Sequence, residues 1–123
     1  MNNTTLESLA HELWTNGGFS HKTNDGSKPT KGYMVSLYGF EQLFKLSERP
    51  NLVEYEIQEF VAPEGIQQLL ELDSVYLGGW TKDGYGYLDI SINIGDLETA
   101  KTLGRVNKQI AIFDVVNFKD IEL

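Results

Sequence analysis

The sequence predicts an α+β domain built on a mainly antiparallel sheet with about four short helices. Three observations carry that expectation. Asp83-Gly84 is a hairpin turn signal with mirrored apolar patterns on either side. Several stretches repeat apolar residues at helical spacing. Strand-like and helix-like segments are mixed without regular βαβ alternation. The length of 123 residues fits one domain, residues 1–123, with no internal repeat, linker or low-complexity tract.

In chain order, Thr4-x-x-Glu7 has capping-box spacing. Leu6, Leu9, Ala10, Leu13 and Trp14 then share one helical face, and Gly17-Gly18 ends the helix. His11 falls on the opposite, solvent face. Residues 20–32 are polar, contain Gly and Pro, and read as a flexible loop. His21, Lys22, Lys28 and Lys31 make this loop mildly basic, so a connector and a contact site are both open readings, the connector being preferred. Tyr33–Tyr38 reads as a strand, and Phe40–Leu46 as its hairpin partner after Gly39 or as a short helix.

Asn51-x-x-Glu54 repeats the cap spacing, and Val53, Ile57, Phe60 and Val61 form a helical stripe. Pro63 suits a first helical turn, and Ile66, Leu69, Leu70 and Leu72 continue as a second helix. If Asp83-Gly84 forms a two-residue turn, Lys82 pairs with Tyr85, Trp80 with Tyr87, Gly78 with Asp89 and Tyr76 with Ser91. The other face then holds Leu77 opposite Ile90 and Val75 opposite Ile92, and must be core. Asp96 is positioned to cap a helix whose stripe is Leu97, Ala100 and Leu103, ending near Gly104 or Asn107. Gln109–Val116 reads as a buried strand that Asn117-Phe118 turns into a short terminal one.

The net charge of −8 is unevenly distributed. Residues 1–49 are neutral, residues 50–100 carry −9 with Lys82 as their one base, and residues 101–123 carry +1. Nucleic-acid affinity comes largely from Lys and Arg releasing counterions, so the middle segment disfavours direct nucleic-acid binding. It favours a basic protein surface. Glu54, Glu56, Glu59, Glu64 and Glu71 fall on the outward faces of the two middle helices, where a solvated acidic face that aids solubility is the competing reading.

Chemistry-bearing motifs are few. Cysteine is absent, which removes disulfides, zinc–thiolate sites and a thiol nucleophile. There is no G-x-S-x-G, H-E-x-x-H or phosphate-binding loop motif, and two histidines at 11 and 21 make neither a metal site nor a triad. The expectation is therefore a non-enzyme with no catalytic residue, cofactor or metal. Asp89, beside the Trp80/Tyr87 pair, is the best placed acid for a perturbed pKa, although a structural aspartate explains it equally well. Asp114, inside an apolar strand, invites the same two readings. Tyr76, Trp80, Tyr85 and Tyr87 cluster on or beside one hairpin face. That pattern fits an interface hot spot or a core covered by a helix, and the covered reading is preferred. Apolar runs of a few residues fall far below the roughly 18 needed to cross a bilayer, and Met1–Thr5 lacks signal-peptide features, so the chain reads as cytoplasmic.

The strings Pro29-Thr30-Lys31-Gly32-Tyr33-Met34-Val35-Ser36, Tyr76-Leu77-Gly78-Gly79-Trp80, Tyr87-Leu88-Asp89-Ile90-Ser91 and Gln109-Ile110-Ala111-Ile112-Phe113-Asp114 occur in an order that resembles small accessory proteins of bacteriophages and mobile elements of Gram-positive bacteria. The resemblance transfers no catalytic residue. It implies a context in which small acidic proteins inhibit host defence nucleases. The expected function is thus an anti-CRISPR or antirestriction type inhibitor that binds a basic surface, with Glu54, Glu56, Glu59, Glu64, Glu71, Tyr76, Trp80, Tyr87 and Asp89 as partner-binding residues. The alternative is a structural or regulatory interaction module acting through the aromatic face or by self-association.

Overall fold

Helices and strands alternate irregularly in the computed structural model, which describes residues 3–23, 25–46 and 49–123. The order is α1 (Asn3–Asn16), β1 (Gly18–His21), β2 (Tyr33–Lys45), α2 (Pro50–Val61), α3 (Glu64–Leu70), β3 (Val75–Lys82), β4 (Tyr85–Ile94), α4 (Leu97–Val106), β5 (Ala111–Asp114) and β6 (Lys119–Glu122). All strands join one antiparallel sheet in the order β1-β3-β4-β2-β5-β6. The α+β class with an antiparallel sheet and four helices is as the periodicities imply.

The hairpin adopts the expected register, with Lys82 opposite Tyr85, Trp80 opposite Tyr87, Gly78 opposite Asp89 and Val75 opposite Ile92. Asp83 and Gly84 both take positive φ, 52° and 82°, as a type I′ turn demands. Its apolar face is buried: Val75, Leu77, Leu88 and Ile90 pack with Leu6, Leu9, Ala10 and Leu13 of α1 and with Val53, Ile57 and Val61 of α2. Each fully buried Leu or Ile side chain here stabilises the fold by about 1.5–3 kcal/mol. Further along the same face, Ile92 and Ile94 meet Val35, Ala100, Ile112 and Leu97 in a second cluster under α4. Both clusters therefore lie on one side of the sheet.

Several expectations change. Trp14 is exposed, because it sits at the rim of the arc formed by Leu6, Leu9, Ala10 and Leu13. The side chain of Thr4, and with it the expected capping box, lies outside the described residues. Gly18–His21 is a strand, so Ser20 and His21 belong to it and not to the loop expected from residue 20. Phe19 is its one apolar side chain, too little to show an alternation, but its backbone pairs with Leu77–Trp80 of β3. Phe40–Leu46 is neither a hairpin partner of Tyr33–Tyr38 nor a helix. The two segments form one long strand, and both pair with β4. Between the Ser36–Ser91 and Glu41–Asp89 pairs, four residues of β2 oppose Ile90 alone, so a bulge restores the register after an interruption. The backbone N–H of Tyr38 in this bulge donates to Asn107 Oδ1 at the end of α4, at 3.0 Å.

α2 begins one residue before Asn51, with Pro50 in its first turn and no side-chain cap from Arg49. Pro63 stands at the N-cap of α3 rather than inside it, and Leu72 falls beyond the helix and is exposed. α4 matches its expected cap: Asp96 Oδ2 accepts from the Thr99 N–H at 2.8 Å. The last expected strand shortens to Ala111–Asp114, and Asp114–Phe118 turns it into β6.

Candidate functional site

In an antiparallel sheet, directly opposed residues share a face, so the pairings map the side without helices row by row. Lys82, Tyr85 and Lys45 form one row across β3, β4 and β2. Trp80, Tyr87 and Leu43 form the next, then Gly78, Asp89 and Glu41, then Tyr76, Ser91 and Ser36. Packing on this side differs from the helical side: Trp80 is 42 % exposed, Tyr85 44 % and Leu43 53 %. The expectation that a helix covers the aromatic face is therefore corrected. The four helices find enough apolar surface on the opposite face, where Leu77, Leu88 and Ile90 are fully buried.

Trp80 and Tyr87 stack nearly parallel, with ring centroids 4.0 Å apart and planes 8° from each other. They face each other across the hairpin, where cross-strand side chains stand closest. In the adjacent row, Asp89 leans over the backbone of Gly78, where an added Cβ would lie 2.1 Å from Asp89 Oδ1. Ser36 Oγ donates to Asp89 Oδ2 at 2.7 Å. Ser91 Oγ lies 3.5 Å from Asp89 Oδ1 and 3.4 Å from Ser36 Oγ. Burial raises the Asp89 pKa and the Glu41 charge adds to that rise, while the hydrogen bond from Ser36 and then that from Ser91 oppose it.

Asp114 has a different role. It is buried at the end of β5 and accepts from the Asn117 N–H at 3.1 Å and from Asn117 Nδ2 at 2.8 Å. These bonds hold its carboxyl below the ordinary aspartate value. It ties the β5–β6 turn together. A shallow depression of 360 Å³ runs along α4, lined by Glu98, Thr99, Thr102, Leu103 and Val106, and another of 260 Å³ lies where Phe44 and Lys45 meet α2. Asp89 and Asp114 line neither.

The partner-binding residues expected from the sequence divide between two sides of the molecule. Tyr76, Trp80, Tyr87 and Asp89 share the open sheet face. Glu54, Glu56 and Glu59 on α2, and Glu64 and Glu71 at either end of α3, belong to the helical layer on the other side. Glu59, Glu64 and Glu71 are exposed, and Glu54 and Glu56 are half-buried. Ion pairs among the described residues join Glu12 to His21 and Lys28, and Glu98 to Lys101.

The sequence reading missed Ser36, Glu41, Leu43 and Lys45 as members of the open face. Their membership depends on β2 pairing with β4 across a bulge, and no local pattern encodes that. The basic segment also behaves differently from a connector at its start. Lys22 is buried, donates to Leu72 O and, at 2.9 Å, to Val75 O, and lies 5.4 Å from the Tyr76 ring centroid. His21 is buried between Glu12 Oε2, 2.6 Å from its Nε2, and Gly26 O, 2.9 Å from its Nδ1. Among the described residues, no group of three or more His, Asp or Glu side chains is placed to hold a metal ion. No helix among them is long and apolar enough to cross a membrane. Comparison with family models, with curated proteins and with solved structures finds no match to this chain.

Proposed function

We propose that the protein is a non-catalytic inhibitor whose acidic helical surface occupies a basic, nucleic-acid-binding groove on a host defence nuclease of the CRISPR or restriction type. One observation carries the reading. Glu54, Glu56, Glu59, Glu64 and Glu71 line two consecutive helices, and residues 50–81 contain no Lys or Arg to offset them. Such a surface repels phosphate and attracts the cationic groove that would otherwise hold it. The resemblance to mobile-element accessory proteins supports the choice of partner.

The test is DNA cleavage by CRISPR effector and restriction nucleases from a Gram-positive host, with and without the protein. Inhibition is expected, weakening as ionic strength rises. Reversal of Glu54, Glu56 and Glu59 to Lys is expected to abolish it while leaving the circular dichroism spectrum unchanged. Full inhibition by the triple variant would sink the proposal, as would cleavage unaffected by the parent protein.

A second reading has its own observation. The uncovered Trp80/Tyr87 face favours an interaction module that works through the sheet, on the side away from the acidic helices.

A further inference from the structure

The open sheet face is laid out as a self-complementary surface. Its middle row, Trp80, Tyr87 and Leu43, is aromatic and apolar. On one side lies the row containing Lys82, Tyr85 and Lys45, and on the other the row containing Asp89 and Glu41. Alternate residues on a strand are about 6.8 Å apart, so the cationic and anionic rows sit at equal distances from the aromatic row. A two-fold axis along the middle row, in the plane between two facing sheets, reverses strand direction and keeps each strand over its own counterpart. Trp80 then meets Trp80, Tyr87 meets Tyr87, and Leu43 meets Leu43. Lys45 of β2 lands over the partner's Glu41, and the Tyr85 hydroxyl over the partner's Asp89. Lys82 lies over the partner's Gly78, above which the carboxylate of the same Asp89 leans.

We propose that this face binds a second copy of the chain, forming a face-to-face two-fold dimer centred on Trp80 and Tyr87. Isologous interfaces require a surface that matches itself after rotation, and a neutral aromatic row between rows of opposite charge meets that requirement. Tyr and Trp dominate the fully desolvated centres of interfaces, and stacked sheets pack about 10 Å apart, close enough for such side chains to interdigitate. The partner's Lys45 also compensates the Glu41 charge that faces Asp89 within each chain. A nucleic-acid strand fits this face less well, because two acidic side chains lie directly beside the aromatic row.

This dimer is independent of the inhibitor reading, since α2 and α3 lie on the opposite face. Sedimentation velocity from micromolar to millimolar concentration tests it, with self-association expected for the parent chain. Trp80→Ala and Lys45→Glu should each weaken association by about tenfold or more, one through the lost core contact and the other through acid-on-acid repulsion. The double variant Lys45→Glu/Glu41→Lys exchanges the two charges and should restore association, because Glu at 45 again faces Lys at 41 across the axis. Positions 41 and 45 are exposed in the single chain, and circular dichroism verifies that each variant is folded. A parent chain that stays monomeric throughout overturns the dimer, as does a dimer indifferent to Trp80→Ala. A double variant as weak as Lys45→Glu rejects the proposed pairing of rows.

Discussion

Asp89 illustrates how one side chain can be legible in type and not in setting. It sits beside the aromatic pair, as its alternation with Tyr87 and Ser91 implies, but Ser36, which makes its shortest hydrogen bond, and Glu41 opposite it come from a strand more than forty residues earlier. Gly78 leaves the space that its carboxylate fills. Because burial and then Glu41 raise its pKa, the folded chain holds this proton to higher pH than the unfolded chain does. Stability from this group therefore falls as pH rises from the ordinary aspartate value through the raised one, and stays at its lower level above that. Asp89→Asn removes that slope. In urea unfolding across a pH series, the variant should gain on the parent as pH rises through this window. A difference constant with pH would show that Asp89 titrates alike in both states.

At the level of elements, the strongest signals were those in which turn or cap chemistry agreed with periodicity. The hairpin register followed from Asp83-Gly84, because a slip of one residue would have put Leu77 and Ile90 on the wrong face. The α4 cap followed from Asp96, whose carboxylate accepts from both the Thr99 N–H and the Thr99 hydroxyl. Asp96→Ala should lower stability by about 1 kcal/mol, read as a fall in Tm of a few degrees, with no effect on self-association. By contrast, β1 carries too little apolar pattern to announce itself, and β2 breaks its own alternation at the bulge. A strand recruited by backbone pairing leaves only a faint trace in side-chain character.

For the whole molecule, the decisive feature is that, among the described residues, one sheet face carries every helix and the other carries none. Substitutions should sort accordingly. Ile90→Ala, at a fully buried position, should cost about 2–5 kcal/mol through lost transfer energy and the cavity left behind. Trp80→Ala should cost much less, on the order of the 0.5–1.5 kcal/mol of an aromatic pair plus partial burial. Chemical denaturation of the two variants at a concentration where the chain is monomeric makes the comparison. Equal losses would mean that Trp80 is core.

The sequence by itself determined the helical stripes, the hairpin and its register, the α4 cap and the acidic middle segment. Each depends on residues a few positions apart, where backbone geometry and turn chemistry act directly. Only the tertiary structure decided which side of the hairpin the helices would cover, that β2 lies between β4 and β5, and that β1 closes the far edge. Both hairpin faces carry large aromatic or aliphatic side chains, so local pattern left the choice between them open. The choice went to the face where Leu77, Leu88 and Ile90 could join α1 and α2 in one continuous apolar core, which buries more hydrocarbon without stranding Asp89, Ser36 and Ser91 beneath a helix.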